Sequence, residues 1–272
     1  MIMKNKRWFF LLPYSLWIGL FVVLPLLMIF WTSLTGNGSI SLENFSNFFT
    51  NATFLRMTLN SFWYALLITL FTLLVSYPVA YILTKLKNQQ FWLLLIILPT
   101  WINLLLKAYA FIGIFGKDGL VNNFLHLFGI GPVNILFTNF AFIFVATYIE
   151  IPFMILPIYT AIKEIDPALI NAANDLGASK WQTFRYIIWP LSLPGVESGV
   201  QAIFIPSLSL FMLTRLIGGN RVITLGTAIE EYFTTTMNWS MGSTIGVILI
   251  VMMVAVMVMT GEKNKRKKEV KL

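Results

Sequence analysis

The segment Ile165–Gly195 reads IDPALINAANDLGASKWQTFRYIIWPLSLPG, and its polar and helix-breaking residues define two short helices. Asp166 is a residue type favoured at the N-cap, and Pro167 occupies the first helical position, where its missing N–H is not needed. The stretch Ala168–Leu176 is rich in alanine and predicts a helix. Gly177 predicts the end of that helix, because glycine adopts a positive φ without steric cost.

A second short helix is predicted directly after this glycine. Ser179 is suited to the N-cap, and Gln182, three residues later, completes a capping-box pattern. The predicted helix–turn–helix carries small and apolar residues that another chain could approach closely: Ala172, Ala173, Leu176, Ala178, Trp181 and Phe184. An apolar face on a surface element can dock a soluble partner or pack under its own bundle, and these residues alone leave both uses open.

Long apolar stretches flank this hairpin on both sides. A helix needs about 20 residues to cross roughly 30 Å of hydrocarbon, and six stretches meet that requirement: Trp8–Leu34, Leu59–Leu83, Phe91–Phe115, Phe137–Ile162, Tyr186–Thr214 and Met241–Thr260. The fifth is interrupted by Pro190, Pro194, Glu197 and Pro206. The pattern predicts an all-α, polytopic membrane protein with about six transmembrane helices. We expect one transmembrane domain over residues 1–272, with the hairpin at residues 165–195 within it.

The composition of the 272-residue chain agrees with a fold embedded in lipid. Hydrophobic residues make up 58% and charged residues 11%, with a mean hydropathy of +0.80, whereas soluble domains are about a quarter charged. One soluble core could not bury so much apolar surface, so a soluble enzyme is excluded. The sequence has no cysteine and a single histidine, His126, and it therefore predicts neither a thiolate nucleophile nor a metal site.

The distribution of Lys and Arg predicts the orientation in the membrane. With the N-terminus inside, the cytoplasmic segments hold fourteen basic residues, whereas the outer segments hold four, Arg56, Lys117, Arg215 and Arg221. This bias places both termini and the hairpin on the cytoplasmic side. The basic tail follows the last span, as is typical of an anchor on anionic headgroups; it comprises Lys263, Lys265, Arg266, Lys267, Lys268 and Lys271.

The sequence contains no motif for nucleotide binding or catalysis. GxxxxGK[ST], HExxH and GxSxG patterns are all missing. We therefore expect a membrane subunit without a catalytic site of its own, driven by a partner.

The hairpin resembles a segment of the permeases of binding-protein-dependent ABC importers. The run Ala172-Ala173-Asn174-Asp175-Leu176-Gly177-Ala178, followed by Phe184 and Pro190, is similar to the EAA motif of that family, although Asn171 replaces the usual Glu. In that family the segment forms coupling helices, which insert into a cleft on the ATPase subunit. The resemblance implies a type I ABC-importer permease architecture. It also implies ATPase coupling through Asn171, Ala172, Ala173, Asp175, Leu176, Gly177, Ala178 and Phe184.

Longer segments resemble the PotB-type permeases of spermidine/putrescine importers. They are LPTWINLLLKAYA (Leu98–Ala110), IPFMILPIYTAIKEID (Ile151–Asp166), GASKWQTFRYIIWPLSLPG (Gly177–Gly195) and IPSLSLFMLTRLIGG (Ile205–Gly219). The resemblance implies polyamine uptake with three kinds of partner: a second, PotC-type permease, a PotA-type ATPase dimer that binds ATP and Mg, and an external PotD-type polyamine-binding protein. Arg215 departs from the pattern, because such permeases often carry an acidic residue nearby.

A polyamine in the membrane needs carboxylates and aromatic faces to replace its water. Glu150 in the fourth span is the leading candidate, because an intramembrane carboxylate is costly unless it faces a cavity or a partner. Pairing of Glu150 with Lys107 is an alternative that the residues leave open. Candidate aromatic contacts are Trp101, Tyr109, Tyr148 and Tyr159.

Two other functions remain compatible with these residues. One is an ABC permease for another small solute such as an inorganic anion, for which Lys107 and Arg215 would be the contacts. The other is a stand-alone channel or secondary transporter, which leaves the capped cytoplasmic hairpin without a role.

Overall fold

The computed structural model describes residues 3–36 and 39–269, and over these residues the chain is almost entirely helical. Its β-structure in this part of the chain is a short antiparallel ribbon, in which β1 (Thr35–Gly36) pairs with β2 (Ser39–Ile40). The predicted all-α fold is therefore confirmed. Lys271 of the predicted lipid anchor lies outside the described residues.

The helices follow one another in chain order with short connections. They are α1 Met3–Ile18, α2 Leu24–Leu34, α3 Glu43–Thr50, α4 Ala52–Leu83, α5 Gln89–Ile97, α6 Leu104–Phe115, α7 Leu120–His126, α8 Asn139–Lys163, α9 Pro167–Asp175, α10 Lys180–Thr183, α11 Trp189–Ser207, α12 Met212–Gly218, α13 Leu225–Thr234 and α14 Trp239–Glu269. Single π-helical turns join α1 to α2 at Gly19–Val23 and α10 to α11 at Phe184–Ile188.

Four helices in the described residues are long and apolar enough to cross a membrane: Leu11–Leu34, Ala52–Leu83, Asn139–Lys163 and Trp239–Thr260. They match the first, second, fourth and sixth predicted spans. The third and fifth are each a bent pair of helices, Gln89–Trp101 with Leu104–His126 and Lys180–Ser207 with Met212–Gly218. If each bent pair is one span, the described residues contain the six predicted spans.

The third and fifth spans are both bent, although only the fifth was predicted to be interrupted. The third span, predicted as one stretch, bends by 91° between Trp101 and Leu104. Pro99 lies in the 3₁₀ turn before this bend, and the Asn103 side chain accepts the Leu105 N–H at 2.8 Å, so a new helix begins there. The fifth span bends by 74° after Ser207. Pro190 and Pro194, which were also predicted to interrupt this span, lie within the helix, whereas Pro206 is the next-to-last residue before the bend.

The described residues divide into two compact units, each with its own packing. The first comprises Met1–Arg56 and Ala228–Met252, and the second comprises Met57–Thr227 and Met253–Leu272. The prediction of one domain over residues 1–272 stays a prediction. In the first unit the buried Phe48 ring of α3 stacks on Phe54 with centroids 5.4 Å apart. The Asn44 amide there also donates to the Ser240 hydroxyl at 2.6 Å.

The core of the second unit is the close packing of α8 against α11. A Cβ placed on Gly195 would lie 2.5 Å from Ala161 Cβ, and one on Gly199 would lie 2.5 Å from Met154 Sδ. Gly195 contacts Ala161, whereas Gly199, further along α11, contacts Met154, which comes earlier in α8. The two helices therefore run antiparallel. The absence of side chains at these glycines lets the backbones approach closely, as is usual between helices in lipid.

Candidate functional site

The hairpin between α8 and α11 has the local structure that its sequence predicts. The Asp166 carboxylate accepts the Ala168 N–H at 2.9 Å, and Pro167 is the first residue of α9. Helix α9 ends at Asp175, and Gly177 follows with a φ of +81°. Nothing lies within 4 Å of a Cβ placed on Gly177, so the requirement for glycine is one of backbone conformation and not of space.

The second half of the hairpin is joined rigidly to the fifth span. Ser179 and Gln182 form the predicted capping box: the Ser179 hydroxyl accepts the Gln182 N–H at 3.3 Å, and the Gln182 side chain accepts the Ser179 N–H at 2.8 Å. From Lys180 the chain stays helical to Ser207, with one π turn on the way. A displacement of the turn at Gly177 would therefore be transmitted directly into span five.

The base of the hairpin is anchored in the second unit by aromatic contacts. The Phe184 ring packs edge-to-face on Tyr81 and Tyr77 of α4, with centroids 5.4 and 6.0 Å apart. Tyr77 also hydrogen-bonds to the Ser192 hydroxyl of α11 at 2.8 Å. Tyr77 and Tyr81 were not among the residues predicted from the sequence. Their spacing of one helical turn near the C-terminal end of α4 was the available signal.

The turn of the hairpin exposes apolar surface. The Leu176 side chain is 88% exposed and Trp181 is 65% exposed. Asn171, Ala172, Asp175 and Gly177 are exposed as well, while Ala173, Ala178 and Phe184 are half-buried. A hairpin packed under its own bundle would bury these apolar side chains. The arrangement in the chain therefore favours docking of another protein at the turn.

Beside the hairpin lies a groove of about 510 Å³. It is lined by four aromatic side chains and one cation: Trp181, Phe184, Arg185, Tyr186 and Trp189. The π turn Phe184–Ile188 supplies its central residues, and such turns occur frequently at functional sites. The groove thus extends the exposed surface of the hairpin toward the start of span five.

The residues predicted to contact the transported substrate do not form one cluster. Glu150 of α8 and Lys107 of α6 are both half-buried and interact electrostatically. Tyr148 is two residues from Glu150, on a different face of the helix, and its ring packs on Phe111 with centroids 5.1 Å apart.

The other aromatic candidates lie elsewhere in the second unit. Tyr159 is buried and donates to Gln89 Oε1 at 2.8 Å. Trp101 and Tyr109 are exposed, Trp101 at the bend of span three and Tyr109 in α6. The structure thus brings together Glu150 and Lys107, while Trp101, Tyr109, Tyr148 and Tyr159 remain separate candidates.

Comparison with known proteins places these features in context. The sequence profile described as "Binding-protein-dependent transport system inner membrane component" matches residues 29–265. The spermidine/putrescine transport system permease protein PotB of Haemophilus influenzae is 35% identical over 260 residues, covering 92% of this chain and 91% of the relative. PotB of Escherichia coli K12 is 36% identical over 248 residues, covering 87% of this chain and 90% of the relative.

Solved structures share the fold at low sequence identity. A bacterial ABC transporter involved in import of the acidic polysaccharide alginate has a TM-score of 0.79 at 18% identity, over 97% of this chain and 96% of its own. A bacterial alginate ABC transporter in complex with an alginate pentasaccharide-bound periplasmic protein has a TM-score of 0.85 at 19% identity, over 97% and 95%. At these identities the likeness concerns the fold alone.

Proposed function

Because the chain belongs to the family of binding-protein-dependent transport system inner membrane components, we propose that it is the permease subunit of an ATP-driven importer that takes up polyamines. The observation that carries the proposal is the capped hairpin between spans four and five, whose turn exposes Leu176 and Trp181. The polyamine cargo, spermidine or putrescine, is supported by the PotB relatives, which align over about nine-tenths of this chain.

The proposed assembly contains three kinds of partner. An ATPase dimer (PotA-type) receives the hairpin and binds ATP and Mg. A second, homologous permease (PotC-type) completes the membrane pore, and an external binding protein (PotD-type) delivers the polyamine. In this assembly the chain is a multi-pass protein of the inner membrane with both termini cytoplasmic, as the fourteen-to-four excess of basic residues supports.

The mechanism follows from the connections of the hairpin. Closure of the ATPase dimer moves the turn around Gly177, and the continuous helix Lys180–Ser207 carries that movement into span five. Helix α8 moves with α11 because the two helices pack closely at Gly195 and Gly199. ATP and cargo then each bias one of two conformations of the bundle.

Glu150 is the proposed cargo contact of this chain, with aromatic faces of Trp101, Tyr109, Tyr148 and Tyr159 along the path. A linear polycation entering the membrane loses hydration, which carboxylates and π faces replace. A second candidate cargo, an anion or another small solute, is supported by the half-buried cation Lys107, which would contact it together with Arg215.

Uptake of labelled spermidine in cells lacking this chain tests the proposal. Wild type should restore ATP-dependent uptake, and unlabelled putrescine but not phosphate should compete. Gly177→Asp should assemble but stay inactive. Gly129→Asp is the matched control, because Gly129 also has a positive φ, +73°, and open space around it, but lies in a predicted outer loop. Competition by phosphate would assign an anion cargo, and uptake unchanged by the loss of the chain would refute the polyamine assignment.

A further inference from the structure

Two buried hydroxyl groups in the second unit lack hydrogen-bond partners. They are the Thr147 hydroxyl of α8 and the Ser207 hydroxyl of α11, whose residues are 9% and 3% exposed. Other buried threonines satisfy themselves within their own helix: Thr69 and Thr72 of α4 donate to the carbonyls four residues earlier, each at 2.7 Å. Thr147 makes no such bond, although a buried hydroxyl without a partner costs free energy.

The packing of α8 places these two hydroxyls at the same level. Gly195 meets Pro157 and Ala161, and Gly199, four residues on, meets Met154 and Pro157. If the same antiparallel register continues to the end of α11, Ser207 and Thr147 lie at the same height along the two helices, to within about half a helical turn.

A second set of contacts supports the same position. Beyond the bend of span five, Gly218 of α12 approaches Phe142 of α8: a Cβ placed on Gly218 would lie 3.7 Å from Phe142 Cβ. Along α8, Thr147 therefore lies between Phe142, which contacts α12, and Met154, which contacts α11. The bend itself, at residues 208–211, lies between the same two contacts.

A third polar group lies at this point. The Leu208 N–H donates to the carbonyls of Ile205 and Pro206, so the Phe204 carbonyl loses the donor that a regular helix would supply. By the register of α8 on α11, the two hydroxyls and this carbonyl lie at about the same level along the helices, at the end of α11. A water molecule can donate two hydrogen bonds and accept two, and buried waters typically make about three.

From this arrangement we propose that Thr147 and Ser207 bind one buried water molecule, which joins α8 to the end of α11 at the bend of span five. The water donates to the Phe204 carbonyl and to one hydroxyl and accepts from the other. It fixes the point at which α11 ends and α12 turns away. The site lies apart from the hairpin, and its existence does not depend on the cargo.

Hydrogen–deuterium exchange of residues 208–211 tests the site in the full-length chain, assembled with its partners in lipid nanodiscs. Thr147→Val and Ser207→Ala remove one hydroxyl each with little change of shape. Each should raise exchange at the bend about three- to tenfold, the effect of losing one hydrogen-bonded link. Because both hydroxyls bind the same water, the double variant should exchange no faster than the single ones.

Two further variants serve as controls. Thr147→Ser keeps the hydroxyl and should retain wild-type exchange, and Thr72→Val removes a buried hydroxyl that is bonded within its own helix and should leave residues 208–211 unaffected. The proposal is overturned if the single variants leave exchange at the bend unchanged or slow it. It is equally overturned if the double variant shows the product of the two single effects, because the hydroxyls then act independently.

Discussion

Substitution of Gly195 by alanine should separate the two helices that flank the hairpin. A Cβ on Gly195 would lie 2.5 Å from both Ala161 Cβ and the Pro157 carbonyl oxygen, whereas ordinary contacts are 3.4–4 Å. Neither atom can move aside by a side-chain rotation, because one is the Cβ of an alanine and the other is a backbone oxygen. To restore ordinary contact, α11 must move away from α8 by about 1 Å, the shortfall in these distances.

The loss of stability in Gly195→Ala can be compared with the effect of the same substitution at a glycine that has open space around its Cβ position. Forcing an extra methyl group into a well-packed interface costs about 1–3 kcal/mol. Replacing a helical glycine by alanine also gains up to about 1 kcal/mol in helix propensity. Gly113 of α6 has nothing within 4 Å of its Cβ position, so Gly113→Ala receives only this gain. The difference between the two variants is therefore about 1–3 kcal/mol, because the propensity term cancels.

Thermal unfolding of the purified full-length chain in lipid nanodiscs measures this difference. At about 2–4 °C per kcal/mol, Gly195→Ala should melt about 2–12 °C below Gly113→Ala. Uptake should fall in parallel, because the hairpin is held between the two separated helices. If Gly195→Ala melts at or above Gly113→Ala, the backbone contact between α8 and α11 does not exist and the proposed transmission through it is wrong.

Three further substitutions test other parts of the chain. Ser179→Ala removes the hydroxyl of the capping box and should destabilise the second hairpin helix by about 1 kcal/mol. ATP hydrolysis by the assembled transporter should then be stimulated less by cargo. An unchanged stimulation would argue against a rigid hairpin. Asn122→Ala removes a buried amide that bonds the carbonyls of Gly116 and Val133 and the Val133 N–H, so unfolding free energy should fall by about 2–3 kcal/mol. Asn123→Ala is its control, since Asn123 is exposed with one bond of 3.2 Å, and equal losses would contradict the assignment. Glu150→Gln should raise the KM for spermidine about tenfold if the carboxylate contacts the cargo, whereas an unchanged KM with a lower melting temperature would assign it to pairing with Lys107.

Features encoded over short distances along the chain were predictable from the sequence. The caps at Asp166 and Ser179 each join residues two or three positions apart, and the structure confirms both. The end of α9 at Gly177 follows from the conformational freedom of a single residue. The spans follow from runs of apolar residues, because lipid requires a helix of about 20 residues whatever its neighbours are.

The anchoring of Phe184 on Tyr77 and Tyr81 and the close packing of α8 against α11 depend on tertiary structure. Each joins residues far apart in sequence, and in lipid every outward face of a span is similarly apolar, so hydrophobicity does not indicate which faces meet. By itself the sequence determined an all-α membrane protein with a capped hairpin between its fourth and fifth spans. Only the tertiary structure decided that α8 packs closely against α11, because that packing depends on the shapes of surfaces brought together from distant parts of the chain.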